Sequence, residues 1–257
     1  MSPARNADAQ GVRSVQRAVE ILALLSDEHP VLTIREAVEA TGLAKTTVIR
    51  LVRTLERNGL LWASPGGYRP GPGLWRWAHL ARTAWELPPE TRALLRELGA
   101  RRRETVNLYM RRDVHRVCVA QQESPRALRH VVHVGDELPL WAGAASKVLL
   151  REAPGTLLRR VAAGSPYGEG HVERLRAWAA EAADRGWAAS HGEREEGLSA
   201  VAVPVTGRSG AVVAALSLSG PTVRFPGDVV TQYAADLREV ARQMSERGFD
   251  HPLGPER

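Results

Sequence analysis

The sequence predicts an α+β protein of two parts, and three observations lead to this prediction. Apolar residues recur at helical spacing over the first third of the chain. From Thr105 onward, alternating runs and short turns typical of strands stand on both sides of a helical middle. Such an order indicates a largely antiparallel sheet with segregated helices. The 257 residues leave room for two modest domains.

The N-terminal part predicts helices joined by a tight turn. A first helix is expected over residues 13–27. Thr33 and Glu36 have the spacing of a capping box, so a second helix begins there. Gly42 suits the left-handed conformation that ends this helix and lets the next one leave at a steep angle. The residues of the first helix expected to face inward are Val15, Val19, Leu22 and Leu25.

The third helix carries a polar face opposite its apolar stripe. Lys45, Thr46 and Thr47 lie at its start, the end that enters the major groove in a helix-turn-helix. Guanidinium groups match phosphate oxygens and the guanine edge, and Thr suits thymine methyls and phosphates. An ordinary solvated face is the alternative. The stripe is Val48, Leu51, Val52 and Leu55, and the opposite face is Thr46, Arg50, Arg53 and Arg57.

A short hairpin is expected next, because apolar residues alternate around Pro65-Gly66-Gly67. A hairpin after a helix-turn-helix completes a winged domain, which favours DNA binding over the solvated face. Arg69 on the wing and Arg13 at the first helix are candidate phosphate contacts, with simple solvation as the alternative.

Residues 73–88 predict a linker helix, since prolines stand at both ends. Its apolar stripe needs a partner, and a second copy of the chain is one candidate. Packing against the chain's own domains is the other. The stripe comprises Leu74, Trp77, Ala78, Ala81 and Trp85.

The remaining residues predict the second domain. Strands are expected at 105–110, 114–122, 127–134, 187–190, 198–206 and 211–219. Helices are expected at 143–151, 154–162, 172–185 and 227–246.

Composition narrows the classes of function. A formal net charge of +6 and a pI near 10.2 favour polyanionic partners. One cysteine excludes an internal disulfide framework, so we expect a cytoplasmic protein. Residues 1–12 lack the apolar core of a signal peptide and are expected to be a disordered tail. No apolar run reaches the length of a membrane span.

An enzyme built on the second domain, dependent on a metal or a ligand, is the alternative class. Cys118 lies among β-branched residues, where a small buried hydrophobe is favoured over a nucleophile. His130 and His133 would face opposite sides of a strand. No catalytic residue, cofactor or metal is therefore predicted. A polar effector-gating loop is favoured over a metal site for the set His191, Glu193, Glu195 and Glu196.

Several blocks in order together resemble one family. The chain is similar to IclR-type bacterial transcriptional regulators from about Arg13 to Arg247. The blocks are RSVQRAVEIL, TGLAKTTVIRLVRTLERNGL, GDELPLWAGAASKVLL, RGWAASHGEREEGLSAVAVPV and ALSLSGPTVR.

The resemblance implies a winged helix-turn-helix over 13–72, a linker helix over 73–88 and a GAF-like effector domain over 89–250. It also implies a homodimer or a dimer of dimers that usually represses. The DNA-contacting positions it implies are Lys45, Thr46, Thr47 and Arg50, to which the residues themselves add Arg13, Arg53 and Arg69. The effector-binding positions it implies are Leu138, Ala144, Ala145, Ser190, Leu198, Ala200, Ser217 and Ser219.

The chemistry of these positions predicts a carboxylate-bearing metabolite. The helix expected at 143 begins among small residues, so its amides are open to a ligand. Ser217 and Ser219 project to one side of a strand and add hydroxyl donors. An acidic residue that the family often carries near Ser190 is missing. A two-fold dimer would read double-stranded operator DNA of pseudo-palindromic sequence.

Overall fold

The computed structural model describes residues 12–26 and 28–249, and the chain divides into one unit up to Ala84 and another from Trp85. The expected disordered tail lies outside the described residues except for Val12. The first unit contains α1 (Arg13–Leu22), α2 (Ile34–Thr41), α3 (Lys45–Arg57), β1 (Leu61–Ser64), β2 (Gly67–Pro70) and α4 (Gly73–Trp85).

Local signals set the ends of α2 as the sequence predicts. The Glu36 amide donates to Thr33 Oγ1 at 3.1 Å, and the Thr33 amide donates to Glu36 Oε2 at 2.7 Å. Both amides would otherwise lack a partner in the first turn. Gly42 ends the helix in the left-handed conformation, with φ of 66°.

The core of the first unit forms where the three helices meet. The prediction for α1 was wrong in part, because Val15 and Val19 are 60% and 55% exposed. Two apolar stripes overlap on this short helix, and the stripe that contains Ile21 packs against the core. The fully buried members of this core are Ile21, Leu32, Ala37, Val48, Val52, Leu55 and Leu61.

The wing is a two-stranded hairpin in which Ser64 pairs with Gly67. Leu32 adds a bridge, since its amide donates to the Tyr68 carbonyl at 2.8 Å and its carbonyl accepts from the Tyr68 amide at 2.9 Å. A Cβ at Gly67 would stand 2.6 Å from the Leu32 carbonyl oxygen, so this contact requires glycine.

The second unit is built on a six-stranded antiparallel sheet in the order β5-β4-β3-β8-β7-β6. Its strands are β3 (Thr105–Arg112), β4 (His115–Gln122), β5 (Glu137–Pro139), β6 (Ala188–His191), β7 (Leu198–Thr206) and β8 (Val212–Pro221). Its helices are α5 (Pro89–Arg102), α6 (Ala144–Leu149), α7 (Gly155–Ala163), α8 (Val172–Arg185) and α9 (Gly227–Glu246).

Strand alternation gives the sheet two different faces. Val106, Leu108 and Leu216 lie on one face and pack in a core with α5 and α9. Tyr109 and Ala215 lie on the other face, in a core with α6, α7 and α8. Ser217 and Ser219 of β8 lie on this second face with Ala215.

The strand predicted at 127–134 is wrong. The edge of β4 is already occupied there, because Cys118 donates its amide to Asp136 and accepts from the Gly135 amide, at 3.0 and 2.8 Å. The short strand β5 continues this pairing. Residues 127–134 therefore form an irregular segment, and the predicted placement of His130 and His133 on a strand fails with it.

Candidate DNA-binding and effector-binding sites

The polar face of α3 is exposed. Lys45, Thr46, Arg50 and Arg53 are exposed and Thr47 is half-buried, while Val48 and Val52 hold the helix to the core. None of the three basic side chains pairs with a carboxylate among the described residues. Arg13 and Arg69 are also exposed. The first unit thus presents unpaired cations on one helix, with further cations on α1 and the wing.

A small, partly open cavity of about 40 Å³, lined by both apolar and polar side chains, lies in the second unit, on the face of the sheet covered by α6. It brings together every predicted effector residue except Leu138. These are Ala144, Ala145, Ser190, Leu198, Ala200, Ser217 and Ser219. The cavity is also lined by Tyr109, Arg116, His130, Gly143, Glu193, Arg194 and Glu195, none of which the resemblance supplied.

Arg116 is a buried cation at this cavity, with 4% of its surface exposed. Its Nη1 donates to the carbonyls of Pro139 and Ala142 at 2.7 and 3.0 Å, and to Ser146 Oγ. Its Nε has no partner among the described residues. Burial lowers the pKa of Arg116 to about 10, which still leaves the guanidinium charged near neutral pH.

The other charges at the cavity are paired. Lys147 Nζ lies 2.5 Å from Glu193 Oε1, and Arg194 lies 3.4 Å from Glu195 Oε2. Arg116 forms no ion pair with a carboxylate within the described ranges. One positive charge therefore remains uncompensated at the cavity.

Ser219 acts as a donor at the cavity because its acceptor positions are occupied. Arg194 lies 3.1 Å from His130 Nε2, which must accept from this guanidinium, so Nδ1 carries the ring proton. His130 Nδ1 then donates to Ser219 Oγ at 3.1 Å, and Asn107 Nδ2 donates to the same oxygen at 3.2 Å. The hydroxyl proton of Ser219 is left for another acceptor.

The amide expected to be open at the start of α6 is already occupied. Gly143 donates its amide to Glu193 Oε2 at 3.1 Å. An acid outside the matched positions does line the cavity together with Ser190, since Glu193 follows β6 and pairs with Lys147. Lys147 is buried and also donates to the Ala189 carbonyl at 2.8 Å.

Leu138 lies outside the cavity and lines an adjoining open cleft of about 420 Å³. The cleft shares His130, Arg194, Glu195 and Leu198 with the cavity.

The residues weighed for enzyme chemistry do not converge. Among residues 12–26 and 28–249, no group of three His, Cys, Asp or Glu side chains could hold a metal ion. His191 Nδ1 lies 2.9 Å from Ser199 Oγ, away from the Glu193–Lys147 pair. Burial raises the pKa of the Cys118 thiol to about 12, which disfavours the reactive thiolate. None of the described helices is long and apolar enough to span a bilayer.

Comparison with known proteins matches both units to one family. The IclR helix-turn-helix domain matches residues 14–63, and the bacterial transcriptional regulator IclR C-terminal domain matches residues 81–246. The chain belongs to the IclR family. Members of this family are transcriptional regulators.

Three relatives illustrate the likeness of this IclR-family chain. The HTH-type transcriptional regulator KdgR of Dickeya chrysanthemi is 31% identical, over 94% of this chain and 82% of that protein. An IclR-family regulator from Rhodococcus sp. is 42% identical, with a TM-score of 0.64 over 99% of this chain and 100% of that one. An IclR homolog from Microbacterium hydrocarbonoxydans, complexed with 4-hydroxybenzoate, is 22% identical, with a TM-score of 0.71 over 91% of this chain and 98% of that one.

The sequence contained one clue to the residues that were missed in this IclR-family cavity. In VHRVCVAQQ, Arg116 shares strand parity with Cys118, whose burial was expected. Arginine is rarely buried in a protein unless it is paired, so an arginine on the buried face of a strand indicates a binding site. Glu193 and Glu195 belong to the segment expected to be a polar effector-gating loop, whereas no comparable clue identified Arg194 or His130, because irregular segments carry them.

The neutral His130 makes stability depend on pH. Burial, and then the charges of Arg194 and Arg116, lower the pKa of His130 to about 4 from 6.5. Unfolding restores the higher value, so the unfolded state takes up the proton first as the pH falls through this window. The free energy of unfolding should therefore drop between pH 6.5 and 4.

The measurement is urea denaturation at pH 7 and pH 5, comparing the wild type with His130→Gln. Glutamine can accept from Arg194 and donate to Ser219 but does not titrate there. Glu195 also faces Arg194, and the comparison removes its contribution because both proteins retain it. An equal loss of stability in the two proteins would show that His130 does not carry the effect.

Proposed function

We propose that this regulator binds double-stranded operator DNA through α3 and that a small monocarboxylate, bound beside Arg116, modulates this binding. The observation that supports DNA binding is the set of unpaired cations on the exposed face of α3. The observation that supports a carboxylate effector is the uncompensated charge of Arg116. Repression is the proposed sign of regulation, taken from the resemblance, and the protein would act in the cytoplasm as a non-enzyme.

The DNA surface consists of Lys45, Thr46, Thr47, Arg50 and Arg53, flanked by Arg13 and Arg69. The five residues from Lys45 to Arg53 lie on α3, which begins at Lys45. The start of a recognition helix is the end that enters the major groove. Cations without carboxylate partners are free to replace the counterions of phosphates. Their apolar neighbours are buried, so the helix can bind without rearranging.

A homodimer, or a dimer of dimers, would present this surface twice. Val15 and Val19 on α1, together with Val12 just before the helix, form an exposed apolar stripe, with 60%, 55% and 67% of their surfaces exposed. Trp75, Trp77 and Leu80 are exposed on α4, none of whose residues the chain buries. A second copy would remove these side chains from water, which supports the dimer proposal.

The effector should carry one negative charge and an acceptor for Ser219. A buried guanidinium without a counter-charge is costly, and a carboxylate supplies both the charge and a partner for Nε. The Ser219 hydroxyl can donate to the same group. The family relative complexed with 4-hydroxybenzoate contains a ligand with one carboxylate, which supports this class for the present chain.

Charge reversal on α3 tests the DNA part. Arg50→Glu replaces attraction with repulsion at a phosphate-rich surface, so affinity for DNA upstream of the protein's own gene should fall at least about 100-fold. Arg35→Glu on α2 is the matched control, because Arg35 is exposed and lies off α3. Mobility-shift titration measures both. Near-wild-type binding by Arg50→Glu would refute the assigned face.

Footprinting on the same DNA tests the dimer. A two-fold dimer should protect two half-sites of a pseudo-palindrome separated by about one or two helical turns. A single unsymmetrical protected patch, or a monomer in solution at micromolar concentration, would refute the arrangement.

Acids compared with their amides test the effector part. A charged hydrogen bond contributes about 1.5–3 kcal/mol, so the wild type should prefer benzoate over benzamide by roughly 10- to 100-fold. Arg116→Gln should abolish the preference, and Ser219→Ala should reduce it less. Arg112→Gln is the control on the same hairpin, because Arg112 is exposed. Calorimetry in which amides bind as well as acids to the wild type would refute the carboxylate.

A further inference from the structure

The open cleft beside the cavity is lined by apolar and charged side chains together. Its walls come from the irregular segment after Glu123, from β5 and from the ends of β7 and β8. The apolar side chains among them are Leu128, Val131, Val132, Leu138, Leu198 and Pro221. Leu128 and Val131 are 68% and 39% exposed, which is unusual for large apolar side chains grouped in a concave surface.

Several polar groups of the cleft already have partners. Arg129 Nε donates to Glu123 at 2.9 Å, outside the cleft. Asp136 Oδ2 accepts the His133 amide at 2.8 Å. Arg194 is shared between His130 and Glu195, at the boundary with the cavity. The exposed carboxylate of Glu196 also lines the cleft, and the apolar side chains beside these polar groups form the part that an apolar tail could cover.

The cleft is preformed, because side chains hold the backbone of its irregular wall. Arg224 donates to the Leu128 carbonyl at 3.1 Å, and Thr105 Oγ1 donates to the His130 carbonyl at 2.7 Å. Arg224 is itself fixed by two bonds to the buried carboxylate of Glu104, at 2.5 and 2.7 Å. These bonds replace the strand pairing that the segment lacks and leave Leu128 and Val131 facing outward.

The cavity alone is too small for most metabolites. Its volume of about 40 Å³ compares with roughly 300–1,000 Å³ for typical ligand pockets. The adjoining cleft of about 420 Å³ supplies the missing space, and four residues line both. A ligand with its carboxylate at Arg116 would therefore pass His130, Arg194, Glu195 and Leu198 and continue into the cleft.

We infer that the cavity and the cleft are two halves of one effector site, and that the effector is a monocarboxylate with an apolar tail. The inference rests on the proposed function for its carboxylate end. The cavity holds the acid group, and Leu128, Val131 and Leu138 cover the tail. Acids too short to leave the cavity are poor effectors.

A series of straight-chain acids tests this inference on the full-length protein. Calorimetry with butyrate, hexanoate, octanoate and decanoate should show affinity rising about fourfold for each methylene buried, until the cleft is full. Val131→Asp should remove at least tenfold from octanoate binding, because it places a charge beside the tail, and should remove less from butyrate binding.

Val134→Asp is the matched control. Val134 lies three residues further along the same segment, is 63% exposed and lies outside the cleft lining. It should bind octanoate like the wild type. Thermal denaturation of both variants shows whether either is unfolded, and Leu138→Asp repeats the test from β5.

The outcomes separate the two proposals. If all acids of the series bind with equal affinity and Arg116→Gln binds none, the proposed tail site in the cleft is wrong and the carboxylate site at Arg116 stands. If affinity rises with chain length equally for the acids and for their amides, the carboxylate site is wrong and the tail site in the cleft stands. Equal losses in Val131→Asp and Val134→Asp would overturn the cleft. Absence of binding by both acids and amides would overturn both proposals.

Discussion

A buried guanidinium without a counter-charge constrains the second unit. Removing an ion from water costs on the order of several kcal/mol even after relaxation, and Arg116 recovers part of this through two carbonyls and Ser146. Those contacts join β4 to the segment that leads into α6. The same side chain thus fixes one wall of the cavity, while its Nε has no partner among the described residues.

The other charged side chains around the cavity are paired with one another and not with Arg116. Glu193, a carboxylate that lines the same cavity, is held by Lys147 and the Gly143 amide. The Lys147 ammonium also lies 4.3 Å from the Trp178 ring centroid. Arg194 is similarly held by Glu195 and the neutral His130. These pairings prevent a local carboxylate from neutralising Arg116. In the proposed function, an anionic effector is the partner that completes the charge balance.

The sequence predicted the elements whose residues interact locally. The capping box at Thr33, the left-handed Gly42 and the alternation of β7 and β8 are fixed by neighbours along the chain, and the structure confirms them. The sequence-based prediction was wrong where contacts between residues distant along the chain determine the local structure. The segment 127–134 has strand-like residues, but Gly135 and Asp136 already pair with Cys118. The predicted serines and alanines meet at one cavity, whereas Glu193, Arg194 and Glu195 beside them come from a loop that periodicity does not describe.

The geometry of a bound acid at Arg116 is decisive, because affinity alone does not locate the carboxylate. A crystal structure with octanoate should place a carboxylate oxygen about 3 Å from Arg116 Nε. Its second oxygen should be within reach of the Ser219 hydroxyl, and its alkyl chain should lie against Val131 and Leu138. A carboxylate bound elsewhere, with Arg116 Nε bonded only to water, would show that the buried cation does not organise the effector site.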